Sequence, residues 1–497
     1  MLAWTIYLSF LGVLALMLLP KDNVRAARAV AMLSALGGLA VAIVAFLQSR
    51  AGELLAVAKI PWVPSLGMEY HLAADGISLT LVLLTGLAAV AGILFSWNIE
   101  HRAKEFFAFY LALIGGVYGV FLSFDLFLLF VFYEIAIVPK YFIIAIWGST
   151  RREYGAMKLA LYSFIGSAMV LVGLIAAFVV SGSHTFNLIA LAKYPFPHGF
   201  QLWAFPLVFV GFAILAGMWP FHTWAPTGHV AAPTAASMLL AGVVMKLGAY
   251  GCLRVAMTLF PAGLEHWKMW IAAFAVIGIV YGALVALVQK DFKFVIGYSS
   301  VSHMGFVLLG LATLNTVGLT GAVLQMFSHG IIAGLLFAVV GRMVYERTHT
   351  RELSVLEGLG LAKALPFAAV TFVVASVASM GLPGFSGFVA ELQVLIGAWQ
   401  AFPTLAVISV LGIVIGVGYT LRVLQKAFFG DAEPATAAAD DEEHHPLEPI
   451  STPERLGAVI LISVSLVVGL YPRLLMDVIV PSFDSPLFDW LRKGGAQ

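Results

Sequence analysis

Two ionisable side chains, Glu134 and Lys246, lie within stretches that are otherwise almost entirely apolar, DLFLLFVFYEIAIVPKYFIIAIWG and MLLAGVVMKLGAYG. A third, Glu391, follows a proline in ASMGLPGFSGFVAELQVLIG. A charged side chain at the centre of a bilayer costs about 2.5–3.5 kcal/mol on insertion scales, so such residues usually line a hydrated cavity. Carboxylates and an amine at that depth can pass protons to one another. The three residues therefore predict proton-transfer chemistry inside a membrane.

Composition identifies the kind of protein that must position these residues. The chain has 497 residues, of which 61% are hydrophobic and only 11% are charged, which is typical of a polytopic membrane protein and excludes a soluble domain. The single cysteine, Cys252, excludes an intrachain disulfide and any iron–sulfur cluster held by several cysteines. We therefore expect an all-α membrane protein without a multi-cysteine metal or iron–sulfur site.

Apolar runs of about 20 residues are long enough to span a bilayer as helices. They fall near 2–19, 27–48, 77–98, 105–123, 125–148, 157–181, 202–226, 232–257, 269–289, 292–313, 318–344, 365–400, 403–429 and 456–472. The first run is expected to remain as a helix, because the positive charges of Lys21 and Arg25 follow it, whereas a signal peptide carries them in front. The pattern predicts about 14 transmembrane helices.

Positive charge predicts the orientation of these helices. Most of the 27 lysines and arginines fall in loops that follow odd-numbered spans, for example Arg151, Arg152, Arg342, Arg347 and Arg351. Loops rich in lysine and arginine face the cytoplasm. Both termini are therefore expected on the periplasmic side of a bacterial inner membrane.

Prolines and glycines interrupt two spans. Pro220 and Pro226 are expected to break the seventh span, and Gly381-Leu382-Pro383-Gly384 the twelfth. Paired interruptions in corresponding halves of a transporter indicate inverted repeats and an ion site near the middle of the membrane. His222 and His229, beside the first break, could either cap freed backbone groups or admit protons.

One polar insert, at 430–455, contains DAEPATAAADDEEHHPLEP. Runs of proline, alanine and charge rarely pack, which favours an acidic flexible loop. The alternative is a docking strip for a neighbouring subunit. The adjacent His444 and His445 reflect the composition of the loop more simply than a metal site.

Several longer stretches are specific enough to indicate a family. They are FYEIAIVPKYFIIAIWG at 132–148, FHTWAPTGHVAAPTAASMLLAGVVMKLGAYG at 221–251, DFKFVIGYSSVSHMGFVLLG at 291–310, QMFSHGIIAGLLFAVVGRMVYERTHTRE at 325–352 and GLPGFSGFVAEL at 381–392. Together they resemble the antiporter-like proton-pumping subunits of respiratory NADH:quinone oxidoreductase (complex I), most closely those of the subunit M, or chain 4, type.

The resemblance implies an arrangement of domains. It consists of N-terminal helices 1–3 (1–104), a first repeat of helices 4–8 (105–260), an inverted second repeat of helices 9–13 (268–429), the acidic loop (430–455), and a last helix with a tail (456–497). Each five-helix repeat is expected to contain one broken helix. Neighbouring subunits of the membrane arm, antiporter-like on either side, and lipid are the implied partners. Flavin and iron–sulfur clusters are expected on other subunits of the complex and none on this chain.

The resemblance also implies a proton relay. Glu134 matches the essential glutamate of the fifth helix, Lys246 the central lysine of the eighth, and Glu391 the terminal carrier of the twelfth. His303 and His329 match histidines that connect them. The resemblance thus implies that these five residues lie along one proton-transfer axis through the protein.

The sequence departs from the family pattern at several positions, one of which bears directly on the relay. Leu215 stands where these subunits usually carry a lysine in the seventh helix, the partner of the glutamate matched by Glu134. Lys140, after Pro139, is an added charge, and we hypothesise that it replaces the missing partner, with water as the bridge. In an ideal helix Glu134 and Lys140 are about 9 Å and about 120° apart, so they do not pair directly. The alternative is that Lys140 extends toward the cytoplasmic surface.

The sequence thus predicts a proton-translocating membrane subunit of NADH:quinone oxidoreductase, with no redox chemistry on the chain itself. Three alternatives stay open. The chain could belong to a multisubunit cation/proton antiporter, be a structural subunit that has lost pumping, or be a paralogue in a related respiratory complex such as a hydrogenase. Leu215 is the best support for a non-pumping subunit.

Overall fold

The computed structural model describes residues 1–430 and 447–494, and these are almost entirely helical. The helices of the N-terminal half are α1 (Ala3–Leu18), α2 (Val24–Gln48), α3 (Gly76–Phe95), α4 (Ala103–Leu122), α5 (Leu126–Trp147), α6 (Arg152–Ser181), α7 (Leu188–Ala192), α8 (His198–Ala216), α9 (Trp224–Ala231), α10 (Thr234–Leu239), α11 (Met245–Gly251) and α12 (Met257–Leu259).

The C-terminal half continues in the same manner. Its helices are α13 (Pro261–Val288), α14 (Phe292–Ala312), α15 (Thr316–Ala338), α16 (Glu346–Thr348), α17 (Leu353–Glu357), α18 (Leu361–Ala364), α19 (Pro366–Ser379), α20 (Ser386–Ala401), α21 (Pro403–Phe428), α22 (Thr452–Leu470), α23 (Arg473–Ile479) and α24 (Asp489–Gly494). Three π-helical stretches (Leu240–Val244, Cys252–Ala256 and Val339–Tyr345) and four 3₁₀ turns (Pro64–Leu66, Phe221–Thr223, Val480–Asp484 and Pro486–Phe488) lie between them.

Within the described ranges, twelve helices are long and apolar enough to cross a membrane. Two further apolar helices, α1 and α19, are shorter. The all-α polytopic class predicted from the apolar runs is therefore confirmed, whereas the number of about 14 transmembrane helices stays a prediction. Several helices begin where an acidic side chain accepts hydrogen bonds from the first turn, as Asp125 does from Phe127 and Leu128 (3.0 and 2.9 Å).

Two long helical rods form the centre of the bundle. The segment Thr234–Leu259 and the segment Thr316–Thr348 are buried along their whole apolar length, whereas α2, α21 and α22 have about a third of theirs covered by the rest of the protein. A helix that is apolar on all sides is typical of either a buried position or a lipid-facing one. The central rods contain Lys246 and His329, so these side chains are enclosed by other helices rather than by lipid.

The segment between α2 and α3 forms a β-hairpin that the pattern of apolar runs did not predict. Strand β1 (Leu55–Val63) pairs antiparallel with β2 (Met68–Ala74), with Ile60 opposite Tyr70. Nδ1 of His71 in β2 accepts a hydrogen bond from Nδ2 of Asn187 at 2.9 Å, and burial together with the nearby Lys59 lowers the pKa of His71 below its usual value. The hairpin is thereby fastened to the loop that precedes α7.

The two expected helix breaks are present, with one correction. The first lies between α8 and α9 and the second between α19 and α20, where Gly381 and Gly384 have φ values of +73° and +104°. Pro226, however, does not interrupt a helix: it lies in the first turn of α9, where an amide proton would have no partner within the helix. The prediction of a break at Pro226 was therefore wrong.

The acidic insert needs a second correction. Most of it, including His444 and His445, lies outside the described residues. Its end was placed at residue 455, but α22 already begins at Thr452, where Ser451 and Glu454 form a reciprocal capping box. Glu454 is buried there as a partner of Arg342 and Arg347. The last residues of the insert are therefore ordered helix.

Candidate functional site

Lys246 lies in a helix whose hydrogen-bonding pattern changes around it. It belongs to α11, which is flanked by the π-helical stretches Leu240–Val244 and Cys252–Ala256. Such one-turn π segments occur frequently at functional sites. The side chain is fully buried, and its Nζ donates to the carbonyl oxygen of Ala241 five residues earlier. The local backbone therefore supplies one ligand for the ammonium group.

The second ligand of Lys246 is His329 on α15. Lys246 Nζ and His329 Nδ1 are 2.7 Å apart. Two glycines allow this close approach: a Cβ on Gly242 would lie 3.2 Å from the carbonyl oxygen of Gly330, and one on Gly330 would lie 2.6 Å from that of Gly242. The two central rods thus cross at their glycines, within a turn of the residues that make the contact.

His329 faces a second histidine across a small cavity. The ring centroids of His329 and His303 are 5.5 Å apart, and Nε2 of His329 has no hydrogen-bond partner among the described residues. The cavity has a volume of about 10 Å³, and Gln325, Ser379 and Glu391 also line it. A polar cavity of that size has room for about one water molecule. One bridging water would connect the two rings.

Glu391 ends this series of contacts. Its Oε1 lies 2.9 Å from Nδ1 of His303 and accepts a hydrogen bond from Gln325 Nε2 at 3.1 Å. Nε2 of His303 lies 3.2 Å from the hydroxyl oxygen of Ser379. Glu391 lies in the second turn of α20, just after the break, and is 5% exposed. Lys246, His329, His303 and Glu391 are thus brought together in one polar line.

Glu134 lies apart from that line. It is a half-buried residue in α5, and its Oε1 has no hydrogen-bond partner within the described part of the chain. The groups that act on its carboxylate are the hydroxyl of Ser167 in α6 and the ammonium of Lys140. Lys140 itself is fully buried and its Nζ is also without a hydrogen-bond partner in the residues described. Burial disagrees with the alternative that Lys140 extends to the surface.

Leu215 lies directly against the helix of Lys246. It is a buried residue near the end of α8, and a Cβ on Gly248 would come within 3.0 Å of its backbone carbon. A leucine there places only hydrocarbon beside α11. No side chain of α8 therefore provides a positive charge at this position.

The histidines beside the first break do not cap its freed carbonyl. That bond is made by Trp224, whose Nε1 donates to the Ile214 carbonyl oxygen at 2.8 Å. His229 is fully buried, stacks on Phe337 with a centroid separation of 4.7 Å, and has no hydrogen bond to the described residues. Lys293 and Lys246 are the charged groups that act on it. Both of these lysines are buried.

Reasoning from the sequence missed several polar residues of the interior. Gln325 and Ser379 contact the line directly, and Arg254 forms a buried ion pair with Asp75, with Nη2 at 2.6 Å from each carboxylate oxygen. The available signal for these residues was a glutamine or an arginine within an apolar run. The partner of such a residue, however, lies far away in sequence and could not be identified from that signal. Within the described ranges, no group of three His, Cys, Asp or Glu side chains is arranged to hold a metal ion.

The chain is similar in sequence to known membrane proteins. The family model "NADH:quinone oxidoreductase/Mrp antiporter, TM" matches residues 123–416. NADH-quinone oxidoreductase subunit M of Rhodobacter capsulatus is 37% identical over 85% of this chain and 82% of its own length. NAD(P)H-quinone oxidoreductase chain 4 1 of Synechococcus elongatus is 37% identical over 95% of this chain and 89% of its own.

Solved structures extend the likeness to the fold. A chain of respiratory complex I from Thermus thermophilus superposes with a TM-score of 0.88 at 28% identity, covering 99% of both chains. A chain of the Mrp complex from Dietzia sp. gives a TM-score of 0.85 at 21% identity, again over 99% of both. The second likeness shows a shared fold alone.

Proposed function

Because the chain belongs to the family of NADH:quinone oxidoreductase and Mrp antiporter membrane subunits, we propose that it is a proton-translocating subunit, of the subunit M type, in an NADH:quinone oxidoreductase. The observation that carries this proposal is the buried line Lys246–His329–His303–Glu391. It consists only of groups that can both bind and release a proton. Electron transfer, with its flavin and iron–sulfur clusters, belongs to other subunits.

Proton movement along the line follows from its contacts. A charged Lys246 donates to Nδ1 of His329, and a histidine that gains a proton at one ring nitrogen can release one from the other. His329 Nε2 faces the cavity toward His303, whose Nδ1 is within hydrogen-bonding distance of Glu391. A proton accepted by Glu391 is then in α20, beside the helix break. Glu134 is proposed as the group through which a neighbouring subunit changes the charge pattern of this one.

The repeat boundaries implied by the family are part of the proposal. In the unit 105–260 the fourth transmembrane helix is the broken pair α8 and α9, and in the unit 268–429 the fourth is the broken pair α19 and α20. This correspondence supports two equivalent five-helix repeats. We further propose the bacterial inner membrane as the location, with both termini periplasmic, and antiporter-like subunits as neighbours within the membrane arm.

The test is made on the assembled complex in inverted membrane vesicles energised with NADH. Glu391→Gln and Lys246→Met remove one proton-binding group each, and we expect each to lower proton uptake per electron while the subunit still assembles. Lys268→Met is the matched control, because Lys268 lies at the surface and pairs with Glu265. Normal proton uptake in both assembled site variants would contradict the proposal.

A cation/proton antiporter is the second candidate, because the family model covers both kinds of protein and the Mrp chain shares the fold. The two differ in their source of energy. Vesicles containing the chain and its neighbours would respond to NADH in one case, and to an imposed sodium or proton gradient without NADH in the other. A response to the gradient alone would favour the antiporter.

A further inference from the structure

Lys140 is a buried cation that the line from Lys246 to Glu391 does not use. Its side chain has no exposed surface, and its Nζ makes no hydrogen bond to any residue that the structure describes. Removing an ammonium group from water costs far more free energy than removing a neutral polar group, unless an opposite charge or hydrogen bonds compensate for it. Lys140 therefore needs a compensating group close by.

Among the described residues, Glu134 is the charged group that acts on Lys140, and Lys140 is the charged group that acts on Glu134. The two residues do not form a direct salt bridge. Oε1 of Glu134 is itself without a hydrogen-bond partner among the described residues. Each residue thus has a polar atom, Oε1 of Glu134 or Nζ of Lys140, that makes no hydrogen bond to the described residues around it.

Along the axis of α5, the side chain of Lys140 leans toward the turn that carries Glu134. Side chains of a helix lean toward its N-terminus, so Lys140 extends in the direction of Glu134, six residues earlier. Pro139 has no amide proton, which leaves the carbonyl oxygen of Ile135 without its usual helical partner. That carbonyl lies between the two charges along the chain and offers a polar atom for a bridging water.

We propose that Lys140 is the charged partner of Glu134, a positioning residue that controls the ionisation of this carboxyl group from within the same helix. The inference rests on the proposed function, since it assigns the control of Glu134 to a specific residue. Leu215, which contributes only hydrocarbon to the neighbouring helix α8, supplies no competing cation. A proton arriving at Glu134, or a charge approaching it from outside, would loosen its pairing with Lys140.

The experiment measures the protonation of Glu134 itself. Infrared spectra of the assembled complex are recorded against pH, and the carboxyl band of Glu134 is identified by its loss in Glu134→Gln. In Lys140→Met we expect the pH at which this band titrates to change by at least about one unit, which corresponds to about 1.4 kcal/mol of lost interaction. Lys140→Arg keeps the charge and should titrate like the wild type, as should the surface control Lys268→Met.

Proton uptake per electron is measured on the same samples. It should fall in Lys140→Met and recover in Lys140→Arg. A wild-type titration of Glu134 in Lys140→Met would overturn the inference. If that variant does not assemble, Lys140→Gln, which keeps a polar end without the charge, is judged by the same criterion. Normal uptake in Glu134→Gln would instead contradict the proposed role of Glu134, so the two failures are distinguishable.

Discussion

At the scale of single residues, Gln325 contacts the titratable groups of the polar line. It cannot carry a proton, but its Nε2 lies 3.1 Å from Oε1 of Glu391 and 3.4 Å from Nδ1 of His303. A hydrogen bond to a carboxylate is worth about 1.5–3 kcal/mol, more than one between neutral groups. Gln325 therefore holds the carboxyl group of Glu391 beside His303 through this hydrogen bond.

Gln325→Leu should slow proton transfer through the site without removing any proton carrier. The loss of about 1.5 kcal/mol corresponds to a rate about tenfold lower. The measurement is the initial rate of NADH-driven proton uptake in vesicles. Gln393→Leu is the control, because Gln393 is a half-buried glutamine of α20 that bonds to Met476 instead of the site. Equal rates in the two variants would show that the contact with Glu391 is unimportant.

At the scale of elements, the break between α19 and α20 holds Glu391 in place. Gly381 has a φ of +73°, and a Cβ added there would lie 3.2 Å from Oε2 of Glu391. The break is thus more than an interruption of the helix. It places a backbone without a side chain against the carboxyl group at the end of the polar line.

Gly381→Ala should therefore impair pumping more than stability. The left-handed conformation costs a non-glycine residue about 1–2 kcal/mol, and the added methyl group would push on Glu391. Gly182→Ala carries the same backbone strain, since Gly182 has a φ of +57°, but a Cβ there would meet nothing within 4 Å. We expect similar small losses of thermal stability in both variants and reduced proton uptake only in Gly381→Ala. Reduced proton uptake in both variants would mean that backbone strain alone causes the effect.

At the scale of the whole molecule, a buried ionic cluster joins the last long helix to the centre of the bundle. Glu454 in α22 pairs with Arg347 at 2.8 Å and with Arg342, and Arg347 also donates to the carbonyl oxygens of Glu448 and Pro449. Glu454 and Arg347 are almost fully enclosed. The chain on the far side of the acidic insert is thereby anchored at the end of the rod that contains His329.

Glu454→Gln leaves Arg347 without its carboxylate partner and Arg342 with Glu346 alone. Removal of one partner from a buried ion pair typically costs about 3–5 kcal/mol, because the remaining charge stays buried. We expect a clearly lower melting temperature of the assembled membrane arm. Glu105→Gln, which breaks the exposed pair with Arg102, should change stability by at most about 1 kcal/mol. A melting temperature unchanged by Glu454→Gln would mean that the cluster contributes little to the anchoring.

The sequence predicted the class of fold and the titratable members of the polar line, because charges within long apolar runs are rare and conspicuous. It did not predict Gln325, the glycine crossing of Gly242 and Gly330, or the pair of Arg254 with Asp75. These depend on how helices distant in sequence are rotated against one another, which apolar periodicity does not specify when a helix is buried on all sides. The β-hairpin was not predicted for a different reason: it lies outside the apolar runs.

The position of the polar line along its helices has a consequence for the membrane voltage. Lys246, His329 and His303 lie near the middle of the rods and helices that carry them, so transfers among them run mainly sideways, between helices. Moving one charge across the full membrane potential costs about 2.3 kcal/mol per 100 mV, but sideways motion crosses little of that field. In the proposed relay, the voltage therefore acts chiefly on the steps that bring a proton to Lys246 and release it after Glu391. We expect proton exchange along the interior part of that relay to proceed at nearly the same rate in resting and fully energised membranes.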